Sequence, residues 1–209
     1  PSQTIGISGC GPTAAAMVVS SIKGIITPPQ MANLYVENGF RSRDNGTYWS
    51  AFKWTANKFG IGFEETTSLN QSIELVKNNY YVIVSVNDGL FTSGGHFVVL
   101  VGISGDYLEI FDPYLYSGKF DIPSRKGKVT VEGNKVYCSI NNFRNYANYQ
   151  RFFAFKNDRG NNESETEDIT MPEYTRYVKT STGIGVNVRS GPGTRFSKIK
   201  AYPDGTKVT

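Results

Sequence analysis

Cysteine and histidine are scarce in this chain of 209 residues, which contains two cysteines and one histidine. Two cysteines are too few for a disulfide-stapled scaffold. With a single histidine, they also exclude the zinc sites that are built from several Cys and His ligands. The sequence therefore predicts no metal site and no cofactor, and any chemistry has to come from ordinary side chains.

Long hydrophobic runs and dense charge of one sign are also lacking. No stretch approaches the roughly 18 consecutive apolar residues of a membrane span, so none is predicted. The net charge is +4 and basic runs such as RKGK at 125–128 are short, which argues against a nucleic-acid binder. Hydrophobic residues make up 39% and charged residues 19%, as in a globular protein, which we expect to be monomeric.

Charge divides the chain into three segments. Residues 1–156 carry a net charge of +3, residues 157–171 carry −4 with almost no apolar side chains, and the remainder carries +5. We therefore predict a first domain over residues 1–156, an acidic linker over 157–174 and a small basic module over 175–209. The chain begins with proline rather than methionine, so we expect a fragment or a processed product.

The order of helix and strand signals indicates an α+β first domain. Caps, prolines and glycines mark four helices in its N-terminal half, and short apolar or alternating runs follow from residue 80. Helices followed by strands favour N-terminal helices packed on an antiparallel β-sheet. The predicted helices span about residues 12–24, 28–38, 47–59 and 69–76, and the predicted strands span 80–86, 96–103, 107–111, 134–140 and 151–155.

Cys10 is the first candidate for chemistry, because it directly precedes the first predicted helix. A helix N-terminus presents free backbone N–H groups and a partial positive charge, and both stabilise a thiolate. An activated nucleophile also needs a nearby base. The second thiol, Cys138, shares one face of a predicted strand with Val136 and Ile140, so we expect it in the core.

His96 and Asp112 are candidates for the base and its orienting carboxylate. His96 opens one predicted strand and Asp112 ends the next. If these strands form a hairpin around residues 104–106, the two side chains lie nearly opposite each other, and the carboxylate can orient the imidazole. A buried cysteine, a lone histidine and an aspartate before proline each more often have a structural role. Their joint occurrence in this order favours catalysis.

The first domain carries four short motifs, SGCGPT at 8–13, GTYW at 46–49, GHFVVL at 95–100 and DP at 112–113. In combination they resemble a papain-like cysteine peptidase family. The branch concerned is similar to the bacteriocin-leader peptidases and is found in many bacterial and phage wall enzymes. The resemblance spans roughly residues 5–156 and implies a fold of helices packed on an antiparallel sheet.

The resemblance also implies roles for individual residues. It makes Cys10 the nucleophile, His96 the general base and Asp112 the third member of a triad. Gln3 becomes a candidate side-chain donor to the oxyanion hole, beside the backbone N–H of Cys10, although an exposed terminal residue is the alternative. Two further residues are candidates for substrate binding, Trp49 and Gly95, and for Trp49 a place in the helix core is the alternative.

The C-terminal module contains the strings GVNVRSGPGT at 185–194 and PDGTKV at 203–208. They are typical of strands joined by Gly and Pro turns. They resemble a bacterial SH3-type domain, a small β-barrel that attaches wall hydrolases to peptidoglycan. About 35 residues are too few to close such a core, so we expect an incomplete domain.

Together these features imply a peptidoglycan hydrolase that cleaves an amide bond of the stem peptide, as an endopeptidase or an N-acetylmuramoyl-L-alanine amidase. Its partner would be bacterial peptidoglycan, and we expect it at the cell wall, as a secreted autolysin or a phage endolysin. Two alternatives stay open. One is a cysteine protease that processes a protein or leader peptide, and the other is a catalytically silent wall-binding module, against which the intact Cys, His and Asp set argues.

Overall fold

The computed structural model describes residues 8–42, 46–159, 176–178, 186–189 and 198–208. The chain falls into two compact units, Pro1–Glu163 and Ser164–Thr209. The described residues form five helices and thirteen strands. None of these helices is both long enough and apolar enough to span a lipid bilayer.

A seven-stranded antiparallel sheet forms the centre of the first unit. Its strands, in spatial order, are β3 (Phe63–Thr66), β9 (Tyr149–Lys156), β4 (Tyr80–Val86), β5 (His96–Ser104), β6 (Tyr107–Phe111), β8 (Lys135–Ser139) and β7 (Val129–Glu132). The central strands β4 and β5 read as almost continuous apolar runs because both of their faces are buried. A separate two-stranded ribbon pairs β1 (Arg41–Ser42) with β2 (Gly46–Thr47).

Helices cover both faces of this sheet. On one face lie α1 (Cys10–Ile22), α2 (Pro28–Glu37) and α3 (Ser50–Lys58), and on the other lie α4 (Leu69–Lys77) and α5 (Ile140–Tyr146). Successive side chains of a strand point to opposite faces. In β4, accordingly, Ile83 packs with the first group of helices, whereas Val82 and Val84 pack with the second. The sheet therefore separates two hydrophobic clusters.

Side-chain caps set the starts of three helices. Thr27 and Gln30 form a capping box at α2, with Gln30 Oε1 accepting the Thr27 N–H at 2.8 Å. Ser68 caps α4 by accepting the Gln71 N–H, and Ser139 caps α5 in the same way. Each cap satisfies a backbone donor that the helix leaves without a partner.

The predicted α+β class is confirmed, and the four predicted helices and five predicted strands are all present. One detail differs, because α4 packs on the face opposite to the other three N-terminal helices. Five elements of the first unit were not predicted from the sequence, namely β1, β2, β3, β7 and α5. The edge strand β3 reads FEET and is mostly exposed, so it lacks the apolar alternation that predicts a strand.

In the second unit, the described residues form two antiparallel pairs. β10 (Arg176–Tyr177) pairs with β13 (Lys207–Val208), and β11 (Val186–Arg189) pairs with β12 (Lys198–Tyr202). A turn precedes β13, where Gly205 has a φ of +81°, a conformation that glycine adopts without strain. Most of the predicted linker, and much of the string at 185–194, lies outside the described residues.

Candidate active site

Cys10 is the first residue of α1, and its side chain is partly exposed. The N–H groups of a first helical turn have no partner within the helix. The N-cap residue is Gly9, which offers no side-chain acceptor. The thiol therefore lies beside uncapped backbone donors and the positive end of the helix dipole.

Two contacts fix the position of this helix start. Gly11 packs so tightly against β2 that a Cβ atom on it would lie 2.3 Å from the Thr47 Oγ1 atom. Only a glycine allows an approach this close. On the other side of Cys10, the Arg41 guanidinium donates a hydrogen bond to the Ser8 carbonyl oxygen at 3.0 Å. Both strands of the β1–β2 ribbon thus hold the segment that carries the thiol.

His96 begins β5 and contacts both other members of the predicted triad. Its Nε2 atom lies 2.8 Å from Asp112 Oδ1, and Cys10 is close enough to the imidazole to raise its pKa. A carboxylate accepts hydrogen bonds and does not donate them, so Nε2 carries the proton in this pair. Nδ1 is then the ring nitrogen that is left to act as a base.

The hairpin that joins these residues differs from the predicted one in register. Its turn is formed by Gly105 and Asp106, and a bulge interrupts the pairing between Leu100 and Gly102. Since Val99 pairs with Phe111, Asp112 lies beside Val98, and His96 is its diagonal neighbour rather than its opposite residue. Diagonal neighbours are still within reach of a long side chain, which explains the 2.8 Å contact.

The electrostatic environment favours a charged His96–Asp112 pair. Burial lowers the pKa of His96, but its interactions with Asp112 and Cys10 outweigh this effect and raise the pKa above the ordinary value of 6.5. Burial raises the pKa of Asp112, but the contacts with His96 and Lys119 outweigh it and hold the pKa below 3.8. The imidazole is thus poised to hold a proton beside an ionised carboxylate.

Lys119 is a fourth member of the cluster. Its ammonium lies 2.5 Å from Asp112 Oδ2, and its side chain is 2% exposed. It also donates to the Tyr114 carbonyl oxygen at 3.0 Å, while the Tyr114 N–H donates to Asp112 Oδ1 at 2.9 Å. Burial lowers the pKa of Lys119 despite the attraction of Asp112. Both carboxylate oxygens are therefore fixed, which makes Lys119 a positioning residue for the imidazole.

Sequence reasoning missed Lys119. It lies in a loop rich in Tyr, Gly, Ser and Pro between β6 and β7, where a charged residue ordinarily predicts a solvated surface. The available signal was its spacing, because a lysine seven residues after an orienting aspartate can fold back onto that aspartate.

The other predicted residues occupy different places. Gln3 lies outside the described residues. Trp49 is the N-cap of α3 and 38% exposed, and its ring packs against Phe153 with the Arg151 guanidinium 5.2 Å from the ring centre. Gly95 is exposed and directly precedes His96. Roles for these three residues in the oxyanion hole or in substrate binding stay predictions.

Cys138, the second thiol, differs sharply from Cys10. It is fully buried in β8, within the hydrophobic cluster that contains Leu108 and Phe143. Burial raises its pKa to about 12, which keeps it protonated and unreactive near neutral pH. Within the part of the chain that the structure describes, no group of three or more His, Cys, Asp or Glu side chains is arranged to hold a metal ion.

A comparison with protein-family models identifies the family of this chain. The model of the Peptidase_C39 like family matches residues 2–153. The chain belongs to that family. The C39-like family is one of cysteine peptidases, and the match includes Cys10, His96 and Asp112. A search of curated proteins finds no match for this chain.

Three solved structures illustrate what this chain is similar to. The peptidase domain of Streptococcus ComA, a bifunctional ABC transporter of a quorum-sensing pathway, is 19% identical over 75% of this chain and 96% of its own, with a TM-score of 0.49. A C39-like peptidase from Bacillus anthracis is 15% identical over 71% and 88%, with a TM-score of 0.46. Ly7917, solved with the hydrolysis product of MDP, is 16% identical over 99% and 81%, with a TM-score of 0.33. These similarities are too low to transfer a function to this C39-like chain.

Proposed function

We propose that this C39-like chain is a peptidoglycan hydrolase that cleaves an amide bond of the stem peptide through a Cys10–His96–Asp112 triad. The observation that carries the proposal is the cluster in which His96 is hydrogen-bonded to Asp112 and lies close enough to Cys10 for the two to interact electrostatically. Membership of a cysteine peptidase family supports amide hydrolysis. The resemblance of residues 175–209 to a wall-binding module supports peptidoglycan as the substrate.

The first half of the reaction forms an acyl-enzyme. His96 Nδ1 takes the thiol proton, and the Cys10 thiolate attacks the amide carbonyl carbon. The backbone N–H of Cys10 stabilises the oxyanion, with the Gln3 side chain as the proposed second donor. The C–N bond then breaks as the His96 imidazolium gives its proton to the leaving amine.

The second half releases the acyl group. His96 Nδ1 removes a proton from a water molecule, and the resulting hydroxide attacks the thioester carbonyl. The C–S bond breaks, a carboxylic acid leaves and Cys10 returns to its initial state. Throughout, Asp112 holds Nε2–H and stabilises the imidazolium charge.

Each part of the chain has a separate role in this proposal. We assign the reaction to residues 1–156, attachment to the wall to the module at 175–209, and a spacer role to the acidic stretch at 157–174. The module carries the net positive charge of the C-terminal segment, which suits an anionic cell wall. The site of action is therefore the bacterial wall.

Digestion of purified peptidoglycan tests the proposal. The wild-type protein and the variants Cys10→Ala and Cys138→Ala are compared, and mass spectrometry identifies the released termini. We expect wild type and Cys138→Ala to release the same products, and Cys10→Ala to be slower by about 10³-fold or more. New alanine amino termini and free muramoyl carboxyl groups identify an amidase, whereas internal peptide termini identify an endopeptidase.

Two results would contradict the proposal. If Cys10→Ala digests the wall as fast as wild type, Cys10 is not the nucleophile. If wild type leaves the wall intact but cleaves a protein or leader peptide in a Cys10-dependent manner, the chain is a processing protease instead.

A further inference from the structure

A small cavity opens beside the imidazole of His96. Its volume is about 130 Å³, the space of roughly four water molecules. Its walls come from two loops, the one before β5, which carries Ser93, and the one after β6, which carries Tyr114 and Tyr116. The cavity can therefore hold one small group of a substrate bound at His96, but not a sugar ring or a whole peptide.

Two buried cations also line this cavity, Lys119 and Arg125, which are 3% and 5% exposed. The charge of Lys119 is balanced by Asp112. Arg125 has no such partner, because no ion pair with Asp or Glu involves it among the residues that the structure describes. Its guanidinium donates to three uncharged oxygens, the carbonyls of Gly89 and Lys119 and the hydroxyl of Ser93, at 3.0, 3.4 and 3.1 Å.

A buried guanidinium without a counter-charge points to an anionic ligand. Arginine keeps its proton in proteins, so burial does not neutralise it. Burying such a charge without a partner is unfavourable, and an anion that enters the cavity offsets that cost. A guanidinium has five N–H donors, of which three are used here, so two are left to bind a carboxylate.

We propose that this cavity is an anion subsite in which Arg125 binds a carboxylate of the substrate, on the residue adjoining the scissile amide. The inference rests on the proposed amide hydrolysis. It specifies in addition that the substrate carries a negative charge beside the bond that is cleaved. Arg125 is thereby a specificity-determining residue. The tyrosine pair, with ring centres 5.2 Å apart, forms a wall of the subsite.

Alkylation of Cys10 tests the charge of the subsite without any peptide substrate. In both reagents the thiolate displaces iodide and a C–S bond forms, but iodoacetate carries a negative charge and iodoacetamide does not. The ratio of the two rate constants at Cys10, located by mass spectrometry, therefore reports the local potential. We expect Arg125→Gln to lower this ratio by about fivefold relative to wild type.

Two further variants control for charge and for folding. Arg144→Gln removes an exposed arginine that contacts Asn70, so the net charge changes equally and the ratio should stay within about twofold of wild type. Arg125→Lys keeps the cation and should retain most of the wild-type ratio even if the loop contacts weaken. An unchanged ratio in Arg125→Gln, or an equal fall in Arg144→Gln, would overturn the subsite.

A pair of peptides tests the specificity itself. They differ only in a carboxylate or a carboxamide on the residue adjoining the amide that wall digestion identifies. We expect wild type to favour the carboxylate in kcat/KM by about tenfold, and Arg125→Gln to lose this preference. Equal hydrolysis of both peptides by wild type overturns the subsite but leaves the hydrolase proposal standing. Hydrolysis of neither peptide and of no wall overturns the hydrolase proposal, and the alkylation ratio still decides whether Arg125 makes the cavity attract anions.

Discussion

At the scale of single residues, the buried charges of Lys119 and Asp112 depend on each other. Its ammonium lies 2.5 Å from Asp112 Oδ2, with both side chains almost fully buried. Such a pair adds little net stability, because desolvation offsets the attraction. Removing one partner is different, since it leaves the other charge buried with fewer contacts.

Replacing this lysine with an uncharged residue of similar length should therefore destabilise the fold. We expect Lys119→Met to lower the free energy of unfolding by about 3 kcal/mol, measured by urea denaturation. The matched control is Lys77→Met, which breaks the exposed pair between Lys77 and Glu74 and should change stability little. Equal effects of the two substitutions would mean that Lys119 does not hold Asp112 in the folded protein.

His96 is the only histidine in the chain, so its ring protons give a single set of signals in an NMR titration. We expect the pKa of His96 to lie above 6.5 in wild type, because its contacts with Asp112 and Cys10 outweigh burial. Asp112→Asn removes the negative charge but keeps an acceptor, and should lower this pKa. Cys10→Ala should lower it as well. A wild-type pKa at or below 6.5, or no change in Asp112→Asn, contradicts the charged pair.

These pKa directions also fix how stability depends on pH. The raised pKa of His96 means that its stabilising contribution is fully present below pH 6.5 and is lost as pH rises through the folded-state value. The lowered pKa of Asp112 means that its contribution is present above pH 3.8 and is lost as pH falls through the folded-state value. The cluster is therefore most stabilising between these limits.

At the scale of elements, the contact between α1 and β2 decides where the thiol lies. Gly11 is a helical residue, and alanine in place of glycine ordinarily stabilises a helix by up to about 1 kcal/mol. Here the new methyl group would lie 2.3 Å from Thr47 Oγ1 and 2.6 Å from Thr47 Cβ. Overpacking of this kind costs about 1–3 kcal/mol and requires a shift of the helix start.

We accordingly expect Gly11→Ala to lower the melting temperature, against the direction of helix propensity. The control is Gly94→Ala, because a Cβ atom there has nothing within 4 Å. Thermal denaturation, monitored by circular dichroism, gives the melting temperatures of both variants and of wild type. If Gly11→Ala is as stable as wild type or more stable, α1 does not pack on β2 as closely as described.

Local signals in the sequence predicted some elements well and others poorly. The Thr27–Gln30 capping box and the Ser68 cap mark helix starts through contacts within four residues, so they could be identified directly. The bulge between Leu100 and Gly102 depends on pairing with another strand and leaves no such local mark. It shifts the pairing by one residue, so that Asp112 lies beside Val98, on the same face of the sheet as His96, instead of beside Val99 on the other face.

At the scale of the whole molecule, the site is assembled from distant parts of the chain. Cys10, His96 and Asp112 could be singled out because the first two are rare residue types and all three stand at ends of predicted elements. Lys119 and Arg125 could not, since surface loops are full of lysine and arginine and only the tertiary fold buries these two. Residue type and position therefore singled out three side chains that the structure brings together, while the charges that surround them required the structure.

The proposed mechanism depends most directly on whether Cys10 is an activated thiol in the folded protein. Iodoacetamide labelling between pH 5.5 and 8, with the modified residue located by mass spectrometry, measures this. We expect Cys10 to react far faster than Cys138 in native wild type, to react much more slowly in His96→Ala, and to react at nearly the same rate as Cys138 in denaturing urea. If Cys10 in the native protein reacts no faster than in urea, or if His96→Ala leaves its rate unchanged, the proposed nucleophile and its base are wrong.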